Sequence, residues 1–211
     1  MERLGLANAD SPEFFRDTKF FINGRLRYEY ADIDSLDSAD ALTLRNRFGI
    51  ETGSLAGFTF LAEGEHTLDI AGNYAAFPGF NAGRTVIADP DNIQLNRLQL
   101  SYADEAFGKV TVGRQAINLG DQRFVGAVGW RQNDQTFDAA SITINAVDHV
   151  ELTYAYVDQV NRIFGTDAPT SGLERWESES HLVNLSTDII PAGNLTAFGY
   201  FLDFSNAAAM S

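Results

Sequence analysis

Apolar and polar side chains alternate along most of the chain with a period of two residues, which predicts β-strands and not helices. Within 19–32, one face carries Ile22 and Leu26 and the opposite face carries Arg25 and Arg27. Eight further stretches alternate in the same way, at 41–52, 55–66, 92–104, 108–116, 134–146, 149–160, 178–190 and 194–204. The pattern therefore predicts an all-β antiparallel fold of about nine strands.

The connections between these strands alternate strictly between short and long. The short turns are 52–54, 104–107, 146–148 and 191–193, and the long segments are 31–40, 67–91, 117–133 and 161–177. A transmembrane β-barrel has this rhythm because its periplasmic turns are short and its extracellular loops are long. We therefore predict an antiparallel transmembrane β-barrel whose first strand rises from the periplasm. Its apolar faces would contact lipid and its polar faces would line the lumen.

Composition narrows the function classes. The 211 residues carry a formal net charge of −14, which argues against nucleic acid as a partner, since phosphates attract Lys and Arg. Cysteine is absent, so disulfides and thiolate chemistry are excluded. No apolar run is long enough for a transmembrane helix. The first 15 residues lack the apolar segment of a signal peptide, so we expect either a mature chain or an incomplete one.

The stretch GRQAINLGDQRFVGAVGWRQNDQTFDA, residues 113–139, resembles the alginate export family of outer-membrane porins. The stretch LRNRFGIE at 44–51 is also similar to that family. The resemblance implies a monomeric barrel of about 18 strands in the outer membrane of a Gram-negative bacterium. It also implies an arginine-rich pore for an anionic polysaccharide.

An odd number of strands suggests that more of the barrel lies downstream. Bacterial single-chain barrels have even strand numbers, and an open sheet edge is not tolerated in lipid. We therefore predict that the chain is the N-terminal half of a larger barrel. In that prediction 1–17 is a periplasmic N-terminal segment and 18–211 is a partial barrel domain.

Arginine on the predicted lumen faces is the candidate functional chemistry, because guanidinium groups pair with carboxylates and would guide an anionic chain. The candidate pore-lining residues are Arg25, Arg27, Arg45, Arg47 and Arg97, with the acidic residues Glu29, Glu51, Glu63 and Glu65 on the same faces. These acids leave a second interpretation open, a structural ladder in which the charges neutralise each other. Arg114 has outward parity and is placed only by assuming a bulge or a position at the rim.

The loop 117–133 is richer in glycine and apolar residues than a solvent loop, which predicts that it folds inward and narrows the pore. Its candidate constriction residues are Asp121, Arg123, Trp130 and Arg131. Packing against a neighbouring loop is the alternative.

Acidic residues concentrate in the long loops, and we expect a solvated acidic surface there. Weak Ca²⁺ or Mg²⁺ binding is possible through oxygen ligands, but no cofactor is expected otherwise. The acids concerned are Asp32, Asp34, Asp37, Asp40, Asp89, Asp91, Glu174, Glu177 and Glu179. His66, His149 and His181 lie on distant strands and no catalytic motif is present, so an enzyme is not predicted.

The sequence favours passive passage of a polar, anionic solute such as an acidic polysaccharide or oligosaccharide across the outer membrane. Lipid and lipopolysaccharide would then surround the barrel. Two alternatives remain open at this point: a general porin of weak selectivity, and a soluble β-rich binding module, since alternation alone does not say which face meets lipid.

Overall fold

The computed structural model describes residues 12–81, 83–189 and 193–207. These residues form one antiparallel sheet in which every strand pairs with its neighbours in sequence. The strands are β1 (Lys19–Ala31), β2 (Ala39–Glu51), β3 (Phe58–Asn73), β4 (Asn92–Asp104), β5 (Gly108–Gln115), β6 (Thr136–Val147), β7 (Val150–Asn161), β8 (Arg175–Thr187) and β9 (Leu195–Phe201). Two four-residue helices, α1 (Glu13–Arg16) and α2 (Ser171–Glu174), lie before β1 and before β8. The predicted all-β antiparallel fold is confirmed.

The sheet has an apolar exposed face and a polar buried face, the reverse of a soluble β-sandwich. Ile22 is 81% exposed, whereas Thr43 and Glu65 are almost fully buried. An apolar face that extends over several neighbouring strands is typical of a surface that contacts membrane or a partner. The exposed apolar set includes Phe20, Ile22, Leu26, Tyr28, Phe48, Phe60, Leu98, Leu100 and Val112. We call the opposite face the lumen face.

Short and long connections alternate, as predicted. Three short ones, 52–57, 105–107 and 148–149, join the strands at one end, and the predicted turn at 191–193 falls mostly outside the described residues. Long segments join them at the other end, at 32–38, 74–91, 116–135 and 162–174. β3 runs to Asn73, beyond the predicted end at 66, because it continues to pair with β2 as far as Asp40.

Gly113 fixes the outer end of β5. Its φ is +114°, and a Cβ atom there would lie 2.3 Å from the carbonyl oxygen of Leu98. Only glycine combines that backbone conformation with so close an approach. The following Arg114 and Gln115 end the strand, so the GRQ triplet lies at a strand end.

β9 faces the opposite way from the prediction. Its alternation suggested that Phe198 and Tyr200 contact lipid, but they pair with Asn184 and Leu182, which are buried on the lumen face. The register of a strand decides its facing, and one residue of shift moves every side chain to the other side. Pairing with β8 therefore overrides the apolar pattern of the isolated strand. Phe201 is outward and 69% exposed.

The assignment of faces predicts opposite effects for adjacent residues of β4. Leu100 is outward and exposed, and Gln99 lines a cavity on the lumen face. Leu100→Arg should lower the free energy of unfolding by about 2 kcal/mol, because a guanidinium group would lie in hydrocarbon. Urea denaturation of the full-length protein in lipid measures this.

Gln99→Arg is the matched control, and its free energy of unfolding should change by less than about 0.5 kcal/mol. Equal destabilisation by the two variants would contradict the assignment of the apolar face to lipid.

Candidate functional site

The lumen face of β1–β4 carries a dense set of charged side chains, which we call the charged wall. Its members are Arg25, Arg27 and Glu29 on β1, Arg45 and Arg47 on β2, Glu63 and Glu65 on β3, and Arg97 on β4. Antiparallel register places Arg47 opposite Glu65 and Glu63 opposite Arg97. The strands thus bring together the residues that the sequence analysis proposed for the pore.

Most of these guanidinium groups are ion-paired within the wall. Arg97 donates to both carboxylate oxygens of Glu63, at 2.9 and 2.8 Å. Arg47 donates to Glu65, and Arg27 to Glu29. Two of these pairs join neighbouring strands and the Arg27–Glu29 pair lies within β1, and all three support the structural-ladder interpretation for these residues. Glu51 lies at the exposed end of β2, opposite Lys19, at the margin of the wall.

Arg25 and Arg45 differ from the others. They lie directly opposite each other on β1 and β2, and within the described ranges neither has a carboxylate oxygen within 4.0 Å. Arg45 is only 6% exposed and donates from Nη2 to the amide oxygen of Asn23 at 2.7 Å. Two like charges therefore lie side by side, and backbone and amide dipoles supply their polar contacts.

The loop 116–135 supplies those contacts for Arg25. Its guanidinium donates to the amide oxygen of Gln132 at 2.8 Å and to the carbonyl of Gly129 at 3.0 Å. It also donates to the carbonyls of Trp130 and Arg131. The loop therefore folds inward onto the charged wall, in the direction that the sequence analysis predicted.

Two fully buried amides lock the same loop to the neighbouring strands. Gln132 donates from Nε2 to the hydroxyl of Thr43 on β2 at 2.8 Å. Asn133 accepts from the hydroxyl of Thr67 on β3 at 2.8 Å. Each contact joins residues that are far apart in sequence, and an unmade hydrogen bond at such buried groups would cost about 1–3 kcal/mol.

Asp89 ties a second loop, 74–91, to this assembly. It is almost fully buried and accepts from Nη1 of Arg27 at 2.9 Å and from the backbone N–H of Gln132 at 2.8 Å. Asp134 lies 2.6 Å from Arg47 in an ion pair. The expectation of a solvated acidic loop is wrong for Asp89, because this carboxylate is buried as a counter-charge to the arginines of the wall. Asp134, Gln132 and Asn133 are site residues that the alternation pattern does not single out.

The four candidate constriction residues divide into two places. Trp130 lies against the charged wall, with the guanidinium carbon of Arg27 at 5.0 Å and that of Arg131 at 3.9 Å from its ring centre. Arg131 pairs with Glu29 at 3.2 Å, and burial lowers the pKa of Arg131 although Glu29 and Asp89 oppose that shift. Asp121 and Arg123 form an exposed pair at 3.4 Å and do not reach this wall.

The other half of the loop is anchored by apolar contacts. Ile117, Leu119 and Val125 are buried in a cluster with side chains of β6, β7 and β8. The strand members and their neighbour beyond β9 are Phe137, Ala139, Ala155, Val157, Val160, Leu182 and Phe204. The loop therefore has a polar anchor on β1–β3 and an apolar anchor on β6–β8. Contact with both sets of strands supports the inward fold of the loop.

Arg114 is outside this site. Its outward parity is retained opposite Leu98, and it makes a bidentate pair with Asp138 at 2.7 and 2.8 Å. Asp138 also accepts from Gln159 at 3.2 Å and Asn161 at 3.0 Å. Arg114 therefore stays on the outer face because both oxygens of Asp138 pair with its guanidinium group, and no bulge turns its side chain inward.

The helices and the acidic residues of the described part of the chain provide neither a membrane-spanning helix nor a site for a metal ion. No helix there is long and apolar enough to cross a membrane. No group of three or more His, Asp or Glu side chains in the described ranges is placed to hold a metal ion. Asp37 and Glu174 lie beside Arg84 and Arg175. His181 bonds through Nδ1 to the hydroxyl of Tyr154 at 2.8 Å on the outward face.

Comparison with known sequences gives the family directly. Residues 17–168 match the alginate export family. The chain belongs to the alginate export family. The match includes both β1–β4 and the loop that folds onto them, so the site described above lies within the family's shared region. No curated protein matches the chain.

Solved outer-membrane proteins share the fold of this alginate export family member. OccD3 (OpdP) of Pseudomonas aeruginosa matches with a TM-score of 0.61 and 10% identity, over 89% of this chain and 41% of that one. OccAB3 of Acinetobacter baumannii matches with a TM-score of 0.65 and 15% identity, over 89% and 50%. OpdK of Pseudomonas aeruginosa, solved with vanillate, matches with a TM-score of 0.56 and 15% identity, over 88% and 47%. The chain spans half or less of the length of these structures. The total of about 18 strands stays a prediction.

Removing the side chain of Arg25 should loosen the loop. Arg25→Ala deletes the hydrogen bonds to Gly129, Trp130, Arg131 and Gln132. We expect amide hydrogen exchange across 129–134 to accelerate by about tenfold or more, since charged hydrogen bonds stabilise by about 1.5–3 kcal/mol each. Mass spectrometry of the folded full-length protein reads this out by peptide.

Arg123→Ala is the matched control on the same loop, because the Arg123 side chain is exposed and pairs only with the exposed Asp121 among the described residues. Its exchange across 129–134 should be that of the unmodified protein. The same acceleration in both variants would refute the role of Arg25.

Proposed function

We propose that the chain forms part of the wall of an outer-membrane channel for passive passage of a polar, anionic solute, such as an acidic polysaccharide or oligosaccharide. The observation that best supports this proposal is the excess positive charge on the lumen face where the loop 116–135 folds inward. The proposal places the protein in the outer membrane of a Gram-negative bacterium, surrounded by lipid and lipopolysaccharide and monomeric as a full-length barrel.

Local charge supports the anionic preference. The charged wall and the loop side chains in contact with it hold six guanidinium groups and five carboxylates among the described residues, although the whole chain carries −14. These groups are Arg25, Arg27, Arg45, Arg47, Arg97 and Arg131 against Glu29, Glu63, Glu65, Asp89 and Asp134. The net excess is one positive charge, and Arg25 and Arg45 are the two of these arginines with no close carboxylate. A positive region in a narrow, low-dielectric passage attracts anions and repels cations.

Two further observations support a channel. The lumen face of β1–β5 is polar while the outer face is apolar, and the loop 116–135 folds over the lumen face, as a constriction would require. OpdK, a similarly folded protein, was solved with vanillate, which is a carboxylate. Passage of an anion is therefore compatible with this fold, and the cargo of this chain belongs to the proposal.

A general porin of weak selectivity is the second candidate, and one observation favours it. Arg27, Arg47 and Arg97 are all committed to carboxylates, so most of the arginine ladder offers no free charge to a solute. Selectivity would then depend on Arg25 and Arg45 alone and would be modest.

Ion selectivity distinguishes these candidates. In planar bilayers with a KCl gradient, the full-length protein should show a reversal potential of anion-selective sign. The double variant Arg25→Gln, Arg45→Gln should lose most of that preference, because it removes the two charges without a close carboxylate.

Arg114→Gln is the matched control, since Arg114 lies on the outer face, and its reversal potential should be unchanged. Cation preference in the unmodified protein, or no conductance at all, would overturn the proposal. Equal anion and cation currents would favour the general porin, and partition of the folded protein into water without detergent would favour a soluble β-rich module.

A further inference from the structure

Three aromatic side chains meet on the lumen face, away from the charged wall. Phe198 and Tyr200 project from β9 towards the lumen, with ring centres 4.8 Å apart and planes 22° apart. Phe124, from the loop 116–135, packs against them with its ring centre 5.4 Å from Phe198 and 6.4 Å from Tyr200. We call Phe124, Phe198 and Tyr200 the aromatic platform.

The platform is open and its polar edge is oriented. Phe124 is 67% exposed and Phe198 is 53% exposed. The hydroxyl of Tyr200 accepts a hydrogen bond from Nδ2 of Asn184 at 3.3 Å, so its ring is held by a buried amide. The platform thus extends the apolar cluster of β6–β8 with ring surface that the described residues do not cover.

A polar cavity of about 660 Å³ adjoins the platform on the lumen face of β4–β9. Asn184, the partner of Phe198 in the sheet, lines this cavity, and so does Thr196, two residues before Phe198. Its neutral hydroxyl and amide groups include those of Gln99, Asn118, Thr153, Asn184, Asn194 and Thr196. Lys109, Asp121 and Glu151 are its charged members. This region is therefore chemically unlike the charged wall on β1–β4.

From this juxtaposition we infer that the aromatic platform and its cavity bind the pyranose ring of a saccharide. A pyranose has a flat C–H face and a rim of hydroxyl groups. The negative face of an aromatic ring attracts weakly positive C–H groups, and hydroxyl and amide side chains exchange hydrogen bonds with the rim. Recognition here needs no charge on the sugar. The inference rests on the proposed passage of a solute through this lumen, and it assigns the sugar ring to a separate site from the anion-attracting arginines.

A neutral sugar tests the platform without involving the arginines. Maltohexaose added to the full-length channel in planar bilayers should interrupt the ion current, and the concentration dependence gives a dissociation constant. The double variant Phe124→Leu, Phe198→Leu keeps apolar volume and removes two ring faces. We expect it to weaken the blockade about tenfold, which corresponds to about 1.4 kcal/mol.

Phe201→Leu is the matched control, because Phe201 lies on the same strand and points outward. Maltohexaose should interrupt the current of this variant with the same dissociation constant as in the unmodified channel. The inference is overturned if maltohexaose does not interrupt the current of an open channel, or if it blocks the double variant as well as the unmodified channel. It is also overturned if polyethylene glycol of the same size blocks the unmodified channel and blocks the double variant more weakly to the same extent as maltohexaose does. Blockade by an aromatic carboxylate but not by the sugar would also overturn it.

Failure of the channel proposal is distinguishable from failure of this one. If the folded protein conducts no ions, titration calorimetry with maltohexaose in detergent micelles still measures binding. Binding that weakens about tenfold in the double variant would support the platform without a channel, and no binding by the unmodified protein would overturn it.

Discussion

The position of the loop 116–135 depends on one constraint, the need of Arg25 for polar partners on a wall where the nearest strand partner is another arginine. Arg45 lies directly opposite and contributes the same charge. Backbone carbonyls of the loop and the amide of Gln132 satisfy Arg25 instead. Withdrawing the loop would leave a charged group of the wall without those partners, which is costly when the group is partly buried. The wall and the loop are therefore one structural unit.

The loop is held at its two ends by different chemistry because the strands beneath it present different side chains to the lumen face. Hydrogen bonds and ion pairs hold 129–134 on β1–β3, whereas Ile117, Leu119 and Val125 pack on β6–β8. Charged side chains gather on one part of the lumen face and neutral amides and hydroxyls on the other.

The fold was predictable from sequence because alternation is a local signal, and each strand carries it within about ten residues. The site was predictable only in part. Parity placed Arg47 with Glu65 and Arg97 with Glu63 on one face, but the contact of Arg25 with Gln132 joins positions 107 residues apart, and no local pattern encodes it. Asp89 resembles any acidic loop residue until two loops fold onto the same wall. On β9 both faces hold apolar side chains, so only pairing with β8 decides that Phe198 faces the lumen.

The most specific part of the family resemblance coincides with the part of the loop that closes onto the wall. In the stretch WRQND, Trp130 stacks with two arginines, Arg131 pairs with Glu29, Gln132 and Asn133 bond three strands, and Asp134 pairs with Arg47. Every side chain there has a defined partner, so each position is physically restricted. Asp121 and Arg123 are exposed and carry no such restriction. The loop therefore combines a half fixed by polar contacts on β1–β3 with a half fixed by buried apolar side chains on β6–β8, and its exposed positions Asp121 and Arg123 belong to neither anchor.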